Sequence, residues 1–231
     1  KRRYSAIRFK EYDLVMDEDL SIINANTRNE KIRNFFINNK NKIIFGLIIL
    51  VIIVSSVYGY DKYLTNKKKE ISDNYNSITI EYSESKKEET ANKLIEIINK
   101  KDPTYSPLSL YFIIDNNLVS DKTVTYNLFN TIIEETSLDK EIKNLVIYKK
   151  ALFYIEEIDD NENGLLDILN PIIKSESVWK SHALYLIAEY FYLKNQKQKS
   201  KEFFEKIISL ENANPDIIKE VQKRLNRDFS E

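Results

Sequence analysis

The feature that most constrains this chain is an uncharged stretch of 18 residues, 43–60, within the sequence KIIFGLIILVIIVSSVYGYDKY. As an α-helix it would be about 27 Å long, which matches the roughly 30 Å hydrocarbon core of a bilayer. The residues of this helix are apolar on all of its faces and do not form a single stripe. A soluble domain would therefore have to bury the helix completely. Tyr58, Tyr60 and Tyr63 cluster at one end, where aromatic rings favour the membrane interface. We predict a single transmembrane helix, with a buried helix of a soluble protein as the alternative.

A cleaved signal peptide is a third reading of the stretch, and its position argues against it. The stretch begins more than forty residues into the chain, and the residues that follow are Asp61-Lys62-Tyr63-Leu64. A signal peptide lies at the N-terminus and ends at a cleavage site of small residues. Neither condition is met here.

The charges on either side of the stretch predict its orientation. Residues 1–42 carry 10 Lys and Arg and 6 Asp and Glu, a net charge of +4, whereas the remainder carries 25 and 30, a net charge of −5. Since segments rich in Lys and Arg stay in the cytoplasm, we expect the N-terminus inside and the large C-terminal domain outside. The run Lys67-Lys68-Lys69 weakens this signal because it follows the span closely. We interpret that run as a solvated linker, with contact to phospholipid headgroups as the alternative.

These observations divide the chain into four parts: a cytoplasmic segment over 1–42, the transmembrane helix over 43–60, a linker or helix continuation over 61–71, and an outer domain over 72–231. The only methionine is Met16. A start there would make residues 1–15 upstream translation or an unrelated extension. The alternative is a fragment with an internal methionine.

Beyond residue 70 the apolar residues recur at the spacing of amphipathic helices. The pattern is clear in NLVIYKKALFYIEEI, SHALYLIAEYFYLKN and SKEFFEKIISL. The scarcity of glycine (3) and proline (4) also favours long helices joined by short turns. The sequence TVTYNLF is β-branched like a strand, but no partner strand lies nearby, so we interpret it as a helix.

The segment that starts at Ser181, SHALYLIAEYFYLKNQKQKSKEFFEKIISLENANP, resembles a tetratricopeptide repeat, a 34-residue helix-turn-helix unit. Large apolar, small and aromatic residues occupy the positions typical of that motif: Leu184, Ile187, Ala188, Phe191, Ser200 and Phe204. The small residues would let the two helices approach closely, and the aromatic residues would fill the gap to the next pair. Two departures are Ile207, where a small residue is common, and Pro215, which falls late.

Weaker matches precede this unit at spacings near 34 residues. They are Ala151 and Tyr154 in the preceding unit, Ile113 and Phe129 in the one before it, and Tyr75, Tyr82, Ala91, Ile95, Ile98 and Pro103 in the first. Four units in register predict an all-α fold, with a tetratricopeptide-like α-solenoid of about four helix pairs after the transmembrane helix. The sequence DIIKEVQKRLN then predicts a C-terminal helix that caps the last pair.

The layout as a whole resembles the YfgM family, ancillary subunits of the bacterial SecYEG translocon with a tetratricopeptide-repeat-like domain. The resemblance runs from about Met16 to Leu210 and is strongest in KIRNFFINNKNKIIFGLIILV and IIKSESVWKSHALYLIAEYFYLKNQKQKSKEFFEKII, where Trp179 matches a family habit. It implies an inner-membrane anchor, a cytoplasmic N-terminus, a periplasmic repeat domain, and association with the translocon and periplasmic chaperones. These are packing motifs, so they specify the fold better than the partner.

Candidate catalytic groups are few. His182 is the only histidine, and the absence of cysteine excludes Cys/His pairs and thiolate metal sites. Three glycines cannot build a phosphate-binding loop. The sequence DDNENG, 159–164, resembles part of a calcium loop, but Asn170 replaces the acidic twelfth residue, so we interpret it as a solvated turn. We predict no enzyme activity, no cofactor or metal, and, since the outer domain is net acidic, no nucleic-acid partner. No small-molecule substrate is predicted either.

The resemblance to tetratricopeptide repeats implies where proteins would bind. In that fold the first helix of each pair lines a concave groove through its second, fifth, ninth and twelfth positions. The predicted groove residues are Tyr148, Leu152, Ile155, His182, Tyr185, Glu189 and Tyr192, together with Leu145. Such a surface suits an extended or helical peptide with apolar side chains. The alternative is that the C-terminal helix or a neighbouring unit covers it.

We therefore expect a single-pass protein of the bacterial inner membrane with a periplasmic helical repeat domain. It would act as an adaptor that binds translocon subunits, periplasmic chaperones or newly exported client chains near the translocon. The alternative is a structural scaffold subunit of an envelope or cell-division complex, whose repeats hold partner proteins and never touch clients.

Overall fold

The computed structural model describes residues 27–229, and secondary structure in this range is helical throughout. The predicted start at Met16, the extension over 1–15 and much of the predicted cytoplasmic segment lie outside the described residues. The chain divides into two compact units, Lys1–Thr65 and Asn66–Glu231.

The first unit contains helix α1 (27–38) and the apolar part of helix α2 (Lys40–Ile80). An 18-residue window of α2 has a mean hydropathy of 2.5, and none of it is buried. Large apolar side chains such as Phe45, Val51 and Val57 are exposed. Within residues 27–229, α2 is the one helix long and apolar enough to span a membrane.

The second unit holds the end of α2 and the helices that follow it. A 3₁₀ turn, Glu84–Lys86, leads into α3, and α6 continues directly into a π-helical turn, Tyr154–Ile158. The sequence TVTYNLF lies within α5, so its interpretation as a helix is confirmed. The bounds are α3 Lys87–Asn99, α4 Tyr105–Asp115, α5 Lys122–Glu135, α6 Lys140–Phe153, α7 Glu162–Ile173, α8 Lys180–Leu193, α9 Lys197–Ile208 and α10 Pro215–Asp228.

Polar side chains define where several helices begin. The Asp121 carboxylate accepts a hydrogen bond from the Thr123 backbone N–H (2.8 Å) at the start of α5. Asn161 and Asn214 cap α7 and α10 in the same way, each accepting from two backbone N–H groups. Each cap satisfies N–H groups that the first helical turn leaves unpaired.

Asparagine ends two of the helices in place of glycine. Asn117 and Asn195 follow α4 and α8 with φ angles of 47° and 57°. The next residue then bonds back to the helix, as in Gln196 N–H to the Phe191 carbonyl (2.9 Å). Asparagine tolerates this left-handed conformation better than most residues. A chain with three glycines can therefore still make abrupt helix ends.

Each helix from α3 to α10 packs against the next one in sequence. In addition, α3 contacts α5, and α8 contacts α10. The buried apolar residues form three clusters in chain order. The first is centred on α3, α4 and α5, the second on α6, α7 and α8, and the third on α8, α9 and α10. Ile133 packs against the first two clusters, and Ile173 and Phe203 against the last two. The core therefore runs along the chain without interruption.

Residues at the predicted motif positions of the last unit lie inside this core. Leu184, Ile187, Ala188, Phe191, Ser200 and Phe204 are all buried. Ala188 is in the third cluster with Phe204 and Val221, between α8, α9 and α10. A small side chain here permits close contact of the helices, because any extra methylene would have to displace a packed neighbour.

Candidate binding surface

The predicted groove residues lie on two helices and the turn between them. Tyr148 and Leu152 are on α6, Ile155 is in the π-helical turn, and the other four are on α8. All seven, together with Leu145, are half-buried. Their surroundings separate them into three groups: residues covered by α10, an aromatic group near the start of α8, and residues that line open clefts.

Helix α10 covers the last part of the predicted groove. The Arg224 guanidinium donates to Glu189 through Nε (2.7 Å to Oε1) and Nη2 (3.0 Å to Oε2). Its carbon Cζ lies 4.3 Å from the centre of the Tyr192 ring. Such a two-point pair, stacked on an aromatic face, combines charge with fixed geometry. Glu189 and Tyr192 therefore serve as internal contacts that hold α10.

Tyr185 belongs to the same interface. Its ring meets Phe204 edge-on, with ring centres 5.6 Å apart, and it packs against the third core cluster. Burial raises the pKa of Tyr185 to about 12, and the nearby Glu189 carboxylate adds to this effect. An ionised phenol would be poorly solvated there. Of the alternatives that the sequence left open, coverage by the C-terminal helix describes this part of the surface.

An aromatic group occupies the contact between α6 and the start of α8. Tyr148 stacks on Trp179 with ring centres 5.8 Å apart, and His182 approaches both rings at 6.2 Å and 5.1 Å. The His182 Nδ1 atom is buried and has no hydrogen-bond partner among residues 27–229. His182 therefore contributes to this contact through packing of its ring and not through a hydrogen bond of Nδ1.

Two clefts remain open along this surface. We define the first cleft by Tyr111, Ile114, Asp115, Lys149, Leu152 and Glu156, which enclose about 190 Å³ with Phe129 and Phe153 at its floor. The second cleft is defined by Ile155, Glu156, Asp160, Leu186, Glu189 and Leu193, and encloses about 370 Å³ with Tyr190 and Lys194. Leu152 and Ile155 are thus the predicted residues that line open space, and Glu189 borders the second cleft while bound to Arg224.

The second cleft presents an unusually accessible apolar side chain. Leu193, the last residue of α8, is 77% exposed. A single exposed leucine is ordinary on a protein surface, but one that borders a concave apolar wall is typical of binding sites. Leu186 and Ile155 supply that wall.

Sequence reasoning missed Glu156, Leu186 and Leu193. Leu186, Glu189, Tyr190 and Leu193 follow i, i+3, i+4, i+7 spacing, which marks a second face of α8 beside the packed one. That pattern could have identified Leu186 and Leu193. Glu156 had no comparable signal, because the π-helical turn shifts the register of the helix that carries it.

Within residues 27–229 no group of three or more His, Cys, Asp or Glu side chains is arranged to hold a metal ion. The clefts instead offer apolar walls with carboxylates at their edges. Such an arrangement is suited to noncovalent binding of side chains of another molecule.

No protein-family model, curated protein or solved structure matches the chain. The resemblance to the YfgM family therefore rests on the sequence motifs alone.

Proposed function

We propose that this chain is a membrane-anchored adaptor whose helical domain binds other proteins. Its apolar α2 segment would cross the bacterial inner membrane once, with the N-terminus in the cytoplasm and the helical domain in the periplasm. The observation that carries the binding function is the pair of clefts, where exposed Leu193 borders an apolar wall edged with carboxylates.

We further propose that the second unit is a tetratricopeptide-like α-solenoid. The pairs would be the end of α2 with α3, α4 with α5, α6 with α7, and α8 with α9, capped by α10. The packing of each helix on the next, and the chain-ordered core clusters, support this arrangement. In it, α4, α6 and α8 would be the first helices of their pairs, and most residues that line the clefts lie on these helices or on the π-helical turn that continues α6.

The resemblance to the YfgM family supplies the proposed partners: translocon subunits, periplasmic chaperones or newly exported client chains. A membrane anchor keeps binder and partner at high local density, so weak binding suffices. Clefts of a few hundred cubic ångströms suit such weak contacts with one or two side chains each.

One observation favours the second candidate, a scaffold subunit of an envelope or cell-division complex. Helix α10 covers Tyr185, Glu189 and Tyr192, which shortens the surface left for a long client segment. A scaffold would need only a fixed partner on the remaining surface.

Crosslinking in native membranes, followed by purification and mass spectrometry, separates the two functions. The adaptor should yield translocon subunits together with several unrelated exported chains. The scaffold should yield one fixed partner in constant ratio. Recovery of no protein other than the chain itself would refute protein binding altogether.

A further inference from the structure

Glu156 occupies a position between the two clefts, since it lines both of them. Its side chain is exposed, and the carboxylate makes no hydrogen bond or ion pair with any residue in 27–229. A carboxylate at the junction of two apolar depressions is therefore available to a cation from outside.

The π-helical turn sets this position. The Asp159 backbone N–H bonds to the Tyr154 carbonyl at 3.0 Å, five residues back, so the helix widens across Ile155 and Glu156. Such turns are rare and occur frequently at functional sites. The turn places Ile155 in the second cleft and Glu156 between the clefts, while its neighbour Glu157 pairs with Lys122 at 3.4 Å.

The other carboxylates of the second cleft are already neutralised. Asp160 pairs with Lys194, and its backbone carbonyl accepts a hydrogen bond from the Tyr190 hydroxyl at 3.2 Å. Glu189 is bound by Arg224. These contacts tie the edges of the cleft together, so it is formed before any partner arrives and its unpaired charge is that of Glu156.

Apolar walls flank Glu156 on both sides. Leu152 lies in the first cleft, whereas Leu186 and the exposed Leu193 lie in the second. The first cleft also contains Asp115, which has no ion pair within residues 27–229, and Lys149, whose ammonium lies 4.7 Å from the centre of the Tyr111 ring. In the second cleft Lys194 is held by Asp160. The two unpaired carboxylates, Asp115 and Glu156, outnumber the single unpaired ammonium of Lys149. A basic segment would therefore find a counter-charge, whereas an acidic one would meet net negative charge.

We propose that the two clefts together bind a protein segment in which a lysine or arginine is flanked by apolar side chains. The cation pairs with Glu156, and one apolar side chain enters each cleft. The inference rests on the proposed protein-binding function and names the chemistry of the partner. It also predicts selectivity, because a segment with Asp or Glu at the central position is repelled.

Peptide display on the detergent-solubilised full chain tests the proposal. Random dodecapeptides selected on the unaltered protein should be enriched in Lys or Arg between apolar residues. Selection on Glu156→Lys should lose the basic residue and favour Asp or Glu. Glu205→Lys is the matched control, since it makes the same charge change at an exposed carboxylate of α9 that lines neither cleft, and its selected peptides should keep the basic residue.

A synthetic peptide from that selection gives the quantitative test. Glu156→Gln should weaken the binding of this peptide about twofold to fivefold, and added salt should reduce the difference between the two affinities. Circular dichroism of each variant verifies that the fold is retained.

Three results would overturn the inference: no selected peptides, selected peptides without basic enrichment, or equal effects of the two charge reversals. If membrane crosslinking still captures partners in any of these cases, protein binding stands and only the partner chemistry is wrong. If crosslinking also captures nothing, the proposed function falls with it.

Discussion

At the scale of single residues, Gly164 shows how one side chain can constrain the binding surface. A Cβ atom at Gly164 would overlap the ring and hydroxyl of Tyr154. Tyr154 is the first residue of the π-helical turn. The centre of its ring lies 5.9 Å from that of the Tyr126 ring, and its hydroxyl donates to the Asp159 carboxylate at 3.3 Å. The absence of a side chain at Gly164 therefore helps to maintain the turn that carries Glu156.

Gly164→Ala should lower stability by about 1–2 kcal/mol, since overpacking outweighs the better helix propensity of alanine. The measurement is the thermal midpoint by circular dichroism. Asn163→Ala, at the exposed neighbouring position in the same helical turn, should leave the midpoint nearly unchanged. Equal midpoints for Gly164→Ala and the unaltered chain would mean that displacing Tyr154 costs no more than the roughly 1 kcal/mol that alanine gains in helix propensity.

Tyr185 gives a pH-dependent signature of its burial. Burial raises its pKa to about 12 from the usual 10.0. A phenol whose folded pKa exceeds its unfolded pKa stabilises the fold fully below pH 10, and this stabilisation is lost as the pH rises toward 12. Tyr111, whose pKa burial also raises to about 12, should behave alike.

Ultraviolet titration of tyrosine ionisation should show a late-ionising fraction that shrinks in Tyr185→Phe. Stability of the unaltered chain should fall between pH 10 and 12, and Tyr185→Phe should lessen that fall. Ionisation of every tyrosine near pH 10 would show that Tyr185 is solvated, and would return it to the open groove.

At the scale of helices, α10 depends on one arginine. The Arg224 side chain is 9% exposed and reaches Glu189 on α8 as well as Asp228 on its own helix. Removing it leaves Glu189 without its partner in a half-buried position, which destabilises more than loss of a surface pair.

Arg224→Ala should therefore lower the free energy of unfolding by about 1–3 kcal/mol. Arg227→Ala is the matched control, because Arg227 is exposed and, among residues 27–229, its ion pair is with Asp228. Denaturant unfolding monitored by circular dichroism measures both. An Arg224→Ala variant as stable as Arg227→Ala would show that the apolar packing of α10 holds the helix without the Arg224–Glu189 pair.

The helices themselves could be predicted from the sequence because their apolar residues repeat at intervals that a helix places on one face. Leu184, Ile187, Ala188 and Phe191 follow this rule, and all four are buried. The sequence TVTYNLF is also part of a helix, α5, and here the prediction depended on the lack of a partner strand nearby, since its β-branched residues favour a strand.

The binding surface was harder to predict because it depends on contacts between distant segments. Arg224 lies 35 residues beyond Glu189, and no local pattern indicates that it covers Glu189 and Tyr192. The spacing of apolar residues does not reveal the π-helical turn either. The turn contains one additional residue, which shifts every later position around the helix axis. The sequence predicted an open surface at Tyr185 and Tyr192. Because of these two features, the open surface lies at Glu156 and Leu193 instead.

At the scale of the whole molecule, the proposed orientation makes a simple prediction. The N-terminal segment has a net charge of +4 and the remainder −5, which favours a periplasmic C-terminus. A reporter that is active only in the periplasm should be active when fused after Glu231. A matched fusion of a reporter active only in the cytoplasm should be silent, and the reverse pattern would exclude every periplasmic partner.

Site-specific photocrosslinking from Leu193 in native membranes tests the central claim of protein binding most directly. A photoreactive phenylalanine analogue at this exposed side chain of the second cleft should form adducts with discrete partner proteins. The control position is Ile208, an exposed apolar residue of α9 that lines neither cleft. Adducts from position 193 that are absent from position 208 are the predicted result. No adducts at either position, or the same adducts at both, would contradict a partner-binding surface at the clefts.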